Sequence, residues 1–232
     1  MCLRDFVAKK RLAMWKIEPD TPVQLGVIEM QKMSVTTEKT AYEKILVCAA
    51  EYAEKYQNTN IGEIPGVMNA RTLFRSIGMD PTKHRPSSEA LLRRALKGLE
   101  YYSINTLVDI GNWCSLEFLL PICVYDADKI MGQVTARLGR EDESYLGHNN
   151  REVNLHNRFV IADAKGPFGS PVTDSIRTAV DVNTKNAILI IFSPQDHDEN
   201  MLKKQMLIFA ERVKAICGGE KTDLFVLKPR KC

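Results

Sequence analysis

The pattern of apolar and polar positions along the chain predicts a mixture of strands and helices. Residues 24–33 alternate loosely between apolar and polar, which is the two-residue period of a strand. Over 40–56, apolar residues recur every three or four positions, which predicts a helix with one buried face. Residues 186–193 read NAILIIFS, so we expect a central strand that is buried on both faces. A last helix is predicted over 199–216, before two glycines.

Shorter elements are predicted between these long ones: in chain order, a helix over 69–77, a strand or turn over 107–110, a helix over 112–119, and strands over 134–139 and 159–163. Helices and strands that mix without strict alternation predict an α+β fold in a single domain over 14–232. Residues 1–13 precede the first strand-like stretch, WKI, and are predicted to be a loosely held, disordered extension.

The segment 80–98, DPTKHRPSSEALLRRALKG, combines a rigid turn with a basic helix. Pro86 disfavours helix in the residue before it, and Ser87 or Ser88 is predicted to cap the helix that follows. The apolar positions predicted to form the buried stripe of this helix are Leu91, Leu92, Ala95, Leu96 and Leu99. Cations in the last turn of a helix interact favourably with the negative end of its dipole. The cations before the cap are not explained in this way.

Composition narrows the class of protein. The chain has 232 residues, of which 44% are hydrophobic and 26% charged, and a formal net charge of +3. These values are typical of a globular protein, and the charge is too small for a protein that coats DNA, so we expect no DNA partner. No apolar run approaches the roughly 20 residues that span a bilayer, and charges occupy the place of a signal peptide's apolar core. The chain is therefore predicted to be cytoplasmic, with no membrane partner.

Cysteine and histidine spacing gives no sign of a metal centre. The six cysteines contain no C-x-x-C pair, and most lie among apolar neighbours, which indicates reduced thiols. The four histidines show none of the usual ligand spacings. The sequence therefore predicts neither a metal nor a cofactor.

Three ordered segments carry a resemblance to a known family. They are RTLFRSIGMDPTKHRPSSEALLRR (71–94), SINTLVDIGNWCSLEFLLPICVYDADKI (103–130) and GPFGSPVTDSIRTAV (166–180). Together they resemble free-standing relatives of the B3/B4 domain, the tRNA-editing module of the phenylalanyl-tRNA synthetase beta subunit, over roughly residues 15 to 220. The resemblance implies a three-layer α+β fold with an unusual β-sandwich and flanking helices. In the synthetase this module removes tyrosine that is wrongly attached to phenylalanine tRNA.

The resemblance also implies where a substrate pocket lies. Asn112 matches a pocket residue of the family, whereas Cys123 replaces the editing histidine and Ile190 replaces a glutamate that holds the tyrosine hydroxyl. An isoleucine at that position either favours an apolar substrate side chain or indicates that the ligand lies elsewhere. Cys123 is interpreted as a structural thiol rather than a nucleophile, because no cation adjoins it in the sequence. The residues predicted to line the pocket are Asn112, Cys123, Tyr125, Gly166, Phe168, Gly169, Ser170, Asp174, Ser175 and Ile190.

The glycine-containing stretch from Gly166 to Ser170 has two interpretations. Successive N–H groups next to glycines can cup an anion or a carboxylate, with Asp174 on the same wall. Alternatively, the stretch is a turn between strands, and Asp174 bonds its own backbone. We expect this stretch, Asn112 and Cys123 to converge on a single cavity.

Basic residues around the rigid turn are candidates for contact with tRNA phosphates. The predicted contacts are Arg71, Arg75, Lys83 and Arg85. In the structural alternative, the arginines pair with local carboxylates such as Asp80 and Glu89.

The function predicted from these observations is recognition of an aminoacyl-tRNA or an amino acid, with tRNA and amino acid as the partners. Hydrolysis of a misacylated tRNA in trans would make the protein an ester hydrolase, and its catalytic residues stay unassigned. The alternatives are a non-catalytic amino-acid or RNA-binding module, and a small-molecule enzyme that uses the same pocket. The chain lacks the motifs of the ATP-dependent synthetase core, so it is not expected to charge tRNA alone.

Overall fold

The structure is a computed structural model that describes residues 14–19, 21–148 and 150–229. The predicted extension over 1–13 lies outside the described residues. The strands are β1 (Trp15–Ile17), β2 (Val23–Gln31), β3 (Ile122–Asp126), β4 (Val134–Leu138), β5 (Ser144–Leu146), β6 (Glu152–Asn154), β7 (Phe159–Asp163), β8 (Gly166–Gly169), β9 (Ala187–Pro194) and β10 (Glu220–Leu227). The helices are α1 (Thr40–Lys55), α2 (Val67–Ser76), α3 (Ser87–Leu96), α4 (Thr106–Phe118) and α5 (Glu199–Cys217).

The strands form two four-stranded sheets and a small hairpin. The first sheet has the order β1-β4-β7-β8, in which β1 pairs parallel to β4 and the other pairs are antiparallel. The second sheet has the order β10-β2-β9-β3 and is antiparallel throughout. The hairpin joins β5 to β6. Both β3 and β8 are therefore edge strands, one in each sheet.

The predicted central strand is present as β9, and every residue of it is buried. Ile190 and Phe192 point into the core between the two sheets, whereas Leu189 and Ile191 pack in the core between the second sheet and the helices. Successive side chains of a strand face opposite sides, so an apolar run of this kind suits a strand with a core on each face. Each such side chain stabilises the fold by about 1.5–3 kcal/mol through burial.

Three layers follow from these cores: the first sheet, the second sheet, and the helices α4 and α5 that cover it. A further apolar cluster joins α1, α2, α3 and α4. This arrangement confirms the predicted α+β fold, with a β-sandwich and flanking helices.

The structure corrects the prediction for 107–119. A single helix, α4, replaces the strand or turn and the shorter helix. Its first turn is fixed by Asn105, whose side-chain oxygen accepts a hydrogen bond from the Val108 N–H at 3.0 Å. Asp109 accepts from the Ile104 N–H and the Ser103 hydroxyl, which ties the preceding chain to the same turn.

The capping of α3 also differs from the prediction. Pro86 occupies the cap position, and no side chain caps the helix. Ser87 begins the helix, and the buried Ser88 hydroxyl has no hydrogen-bond partner within the described residues. Of the predicted apolar stripe, Leu92 is fully buried whereas Leu99 is 50% exposed, because the helix has already ended.

Candidate functional site

A cavity of about 350 Å³ lies beside β3, the edge strand of the second sheet. Helix α4 forms one wall, β3 forms another, and the chain around residues 174–180 closes the third side. Most of the wall is apolar, and a few polar groups converge on it. The lining residues are Ile104, Val108, Gly111, Asn112, Ile122, Cys123, Val124, His148, Asp174, Ala179 and Val180.

Helix α4 contributes Gly111 and Asn112 to the wall. Gly111 lies in the middle of the helix, where glycine is less favourable than alanine by about 0.8–1 kcal/mol. A Cβ atom at this position would lie 3.4 Å from Val124 Cγ1 and 3.8 Å from Ile122 Cγ2, both of which are cavity residues. The missing side chain therefore leaves room in the cavity.

Asp174 is the carboxylate of the cavity, and its orientation is fixed. Its Oδ1 atom accepts a hydrogen bond from the Tyr125 hydroxyl at 2.6 Å and a longer one from the Ser170 N–H at 3.4 Å. The Tyr125 ring is buried and packs edge-to-face on Phe168, with 5.0 Å between ring centroids. A Cβ atom on Gly169 would overlap the Tyr125 hydroxyl, so this glycine lets the phenol reach the carboxylate.

Burial controls the protonation of both ionisable groups on this side of the cavity. It raises the pKa of the Asp174 carboxyl, although hydrogen bonds from Tyr125 and Cys123 oppose the shift. Burial and the neighbouring Asp174 raise the pKa of the Cys123 thiol well above its usual range. The Cys123 sulfur donates to the Ser170 carbonyl at 3.5 Å. Cys123 is thus a neutral thiol, which is a poor nucleophile.

A second tyrosine holds the segment that carries Asp174. The Tyr145 hydroxyl, from β5, donates to the Thr173 carbonyl at 2.6 Å. The Ser170 hydroxyl donates to the same carbonyl at 2.8 Å. This turn therefore has polar support from both sheet edges and from the hairpin.

The structure thus brings Asn112, Cys123 and Asp174 to one cavity, with Tyr125, Gly169 and Ser170 supporting Asp174 from behind. Phe168 and Ile190 do not line it, because both are fully buried in the core between the sheets. The Gly166 carbonyl accepts from the Arg177 guanidinium at 3.3 Å. The Ser175 hydroxyl accepts from the Arg177 N–H at 3.2 Å.

The interpretation of 166–170 as an anion-binding loop is corrected. Residues 166–169 form the strand β8, paired with β7, and the Ser170 N–H is directed to Asp174. Of the alternative, the bond between Asp174 and the backbone of its own segment is present, but the predicted turn over 166–169 is a strand.

His148 is a cavity residue that the sequence analysis did not select. It follows β5 in an exposed turn, where no periodic pattern marks a residue as facing a cavity. Its charge acts on Asp174, and it tends to lower the pKa of that carboxyl.

The basic segment divides into paired and exposed residues. The Arg71 guanidinium binds Glu89 in a bidentate manner, with Nε–Oε2 2.8 Å and Nη2–Oε1 3.0 Å. Arg93 binds the same carboxylate at 3.0 Å. The structural alternative therefore holds for Arg71, and we withdraw it from the predicted phosphate contacts. Arg75, Lys83 and Arg85 are exposed.

The described residues contain neither a metal-binding cluster nor a membrane-spanning helix. No group of three or more histidine, cysteine, aspartate or glutamate side chains is arranged there to hold a metal ion. Across the same residues, no helix is both long enough and apolar enough to cross a bilayer.

Comparisons with known proteins identify relatives of part of the chain. The beta subunit of phenylalanine–tRNA ligase from Brucella abortus (strain 2308) is 38% identical over 170 residues, which cover 62% of this chain and 21% of the relative. The corresponding subunit from Neisseria meningitidis serogroup B is 35% identical over 118 residues, which cover 50% of this chain and 15% of the relative. The chain thus spans about a fifth or less of the length of these curated relatives.

Among solved structures, an N-terminal fragment of the phenylalanyl-tRNA synthetase beta subunit from Pyrococcus horikoshii matches with a TM-score of 0.42 and 12% identity. The match covers 89% of this chain and 49% of that one. The model of the B3/4 domain matches residues 69–199, which is more than half of the 232-residue chain. That span includes α4, β3 and the segment of Asp174, and the chain belongs to the B3/4 domain family.

Proposed function

We propose that this chain recognises an aminoacyl group, on tRNA or as an amino acid, in the cavity between α4, β3 and the segment of Asp174. The observation that carries the proposal is the cavity itself, in which a few polar groups project from a mostly apolar wall. A small-molecule site typically has this composition and a volume of about 300–1,000 Å³. The curated relatives named above are beta subunits of phenylalanine–tRNA ligases, which supports an aminoacyl ligand.

The wall favours an apolar substrate side chain. The side chains of Ile104, Val108 and Val180 offer no hydrogen bond to a phenolic hydroxyl. A site rejects an analogue strongly only when its own polar group would be left unpaired. We therefore expect no preference for tyrosine over phenylalanine.

We propose further that tRNA contacts the exposed cations Arg75, Lys83 and Arg85. Each phosphate contact contributes weakly and is lost at high salt. Replacement of Lys83 by alanine should weaken binding of charged and uncharged tRNA alike, because a phosphate contact does not sense the amino acid.

Ester hydrolysis is a second candidate function, and His148 favours it. Hydrolysis needs a base that takes a proton from the attacking water as the water oxygen bonds to the ester carbonyl carbon. The proton then passes to the ribose oxygen as the ester C–O bond breaks. His148 and Asp174 are the proton acceptors of the cavity, since the pKa of Cys123 is raised.

The decisive experiment uses phenylalanine tRNA charged with labelled tyrosine or phenylalanine. Retention on a filter measures binding, and acid-precipitable label measures loss of the ester. Retention with ester loss above the protein-free rate supports hydrolysis, and retention without loss supports recognition alone. No retention and no loss would refute the proposal. Asn112→Ala should weaken retention of charged tRNA, whereas Asn58→Ala, at an exposed turn, serves as the matched control.

A further inference from the structure

The cavity wall carries a carboxylate but no strongly basic side chain among the described lining residues. Asp174 contributes a carboxylate, and no lysine or arginine lies among the lining residues that the structure describes. Besides Asp174, the ionisable side chains among these lining residues are the Cys123 thiol and the imidazole of His148, which is exposed. The remaining lining side chains are neutral. A ligand therefore meets a negative group inside the cavity, with a single imidazole to balance it.

The Asp174 carboxylate is held in place before any ligand arrives. Tyr125 and Ser170 both donate to Oδ1, and the buried phenol ring fixes the direction of the first bond. A carboxylate with a fixed orientation binds a donor without losing side-chain freedom. Such a group suits an ammonium ion, which offers several donors and a positive charge.

We propose that Asp174 is the counter-ion for the ammonium group of the ligand, and that the cavity prefers an amino acid with an esterified or amidated carboxyl group over the free amino acid. This inference rests on the proposed function and names the class of substrate. A free amino acid brings a carboxylate of its own, and no lysine or arginine of the wall receives it. An aminoacyl ester carries the ammonium group without that second negative charge.

The surroundings of Asp174 agree with this role. Burial raises the pKa of the carboxyl, because its ionised form lacks full solvation in the empty cavity. A bound ammonium group replaces the lost solvation with an opposite charge. The neutral Cys123 thiol beside it adds no competing negative charge.

Isothermal titration calorimetry at about pH 6.5 tests the proposal with three compounds of similar shape. They are phenylalaninamide, which mimics the ester but resists hydrolysis, 3-phenylpropanamide, which lacks the amine, and phenylalanine. At this pH an α-amino group of ordinary pKa is mostly protonated. We expect phenylalaninamide to bind at least about tenfold more tightly than either of the others, which corresponds to about 1.4 kcal/mol.

Two variants assign the effect to a residue. Asp174→Asn keeps an oxygen that accepts from Tyr125 and Ser170, so the turn is retained, but it should abolish the advantage of phenylalaninamide over 3-phenylpropanamide. His148→Gln removes the imidazole and should leave that advantage in place. Thermal unfolding of both variants confirms that they are folded.

Several results would overturn the inference. Equal affinity for phenylalaninamide and 3-phenylpropanamide, or tighter binding of phenylalanine, removes the role of Asp174 or the preference for a blocked carboxyl group. If Asp174→Asn still binds phenylalaninamide more tightly than 3-phenylpropanamide, Asp174 is not the counter-ion. If 3-phenylpropanamide displaces charged tRNA as well as phenylalaninamide does, this inference fails while the proposed function stands. If no compound binds and charged tRNA is not retained, both fail.

Discussion

Replacement of Gly111 by alanine should make the protein more stable and should also lower its affinity for the ligand. Gly111 lies inside α4, and its backbone is not in the left-handed region that disfavours alanine. The added Cβ would meet Val124 Cγ1 at 3.4 Å and Ile122 Cγ2 at 3.8 Å, which are ordinary van der Waals distances. The substitution therefore introduces a methyl group without a clash and places it among cavity residues.

The two effects have opposite signs and can be worked out separately. Alanine is favoured over glycine in a helix interior by about 0.8–1 kcal/mol, which raises the melting temperature by about 2–4 °C in a domain of this size. The methyl group also occupies space that a close-fitting ligand would use. Overpacking of this kind costs about 1–3 kcal/mol, which weakens binding by roughly 5- to 150-fold.

Differential scanning calorimetry and titration with phenylalaninamide measure the two effects on one sample. Asn200→Ala is the matched control, because it replaces a weaker helix former at an exposed position of α5 that does not line the cavity. It should leave affinity unchanged. A Gly111→Ala protein that is more stable and binds like wild type would show that the ligand lies elsewhere. A destabilised protein would contradict the packing described for α4.

Three further results are expected. Glu89→Gln should lower the free energy of unfolding by about 2–3 kcal/mol, which is less than the loss expected for a fully buried ion pair, because one of its arginine partners is 34% exposed. Burial alone would raise the pKa of Glu89, but its two arginines lower it. In urea titrations the difference in stability should therefore be present at pH 7 and shrink as the pH falls below about 4. Gly169→Ala should destabilise the fold by about 1–3 kcal/mol in the same assay, because the new methyl group would displace the Tyr125 hydroxyl, and an unchanged stability would contradict this packing. Burial raises the pKa of Asp174, so the folded state binds its proton more tightly than the unfolded chain does, and stability is lost as the pH rises from the unfolded pKa through the raised folded pKa. The melting temperature of Asp174→Asn should therefore increase relative to that of wild type as the pH rises above about 4, and a difference that does not vary with pH would refute the shift.

Local pattern was sufficient to predict the elements with a strong period. The strand β9 was predicted because its residues are apolar on both faces, and α1 because its apolar positions share one face. Helix α4 was divided in error, since its apolar start over 107–110 has no clear period in so short a window. The cap at Asn105 was a local signal that marked the true start. By contrast, β8 depends on pairing with β7, and a stretch with two glycines reads locally as a loop.

The candidate site was predicted in part, by resemblance and by residue chemistry. Asn112 and Cys123 came from aligned positions, and Asp174 from its place after the glycines. Phe168 came from the same stretch, but its side chain points into the core because β8 is a strand with alternating faces. His148 could not be predicted, because the hairpin that carries it is brought to the cavity by tertiary contacts alone.

Tyr125 belongs to two parts of the molecule at once. Its ring fills the space between the sheets, and its hydroxyl ends at the carboxylate of the cavity. A substitution outside the cavity lining, such as one at Phe168, will shift this ring and so move the carboxylate that the ligand meets. Selection on thermal robustness and selection on specificity thus act on the same side chain, and neither trait can drift freely while the other is conserved.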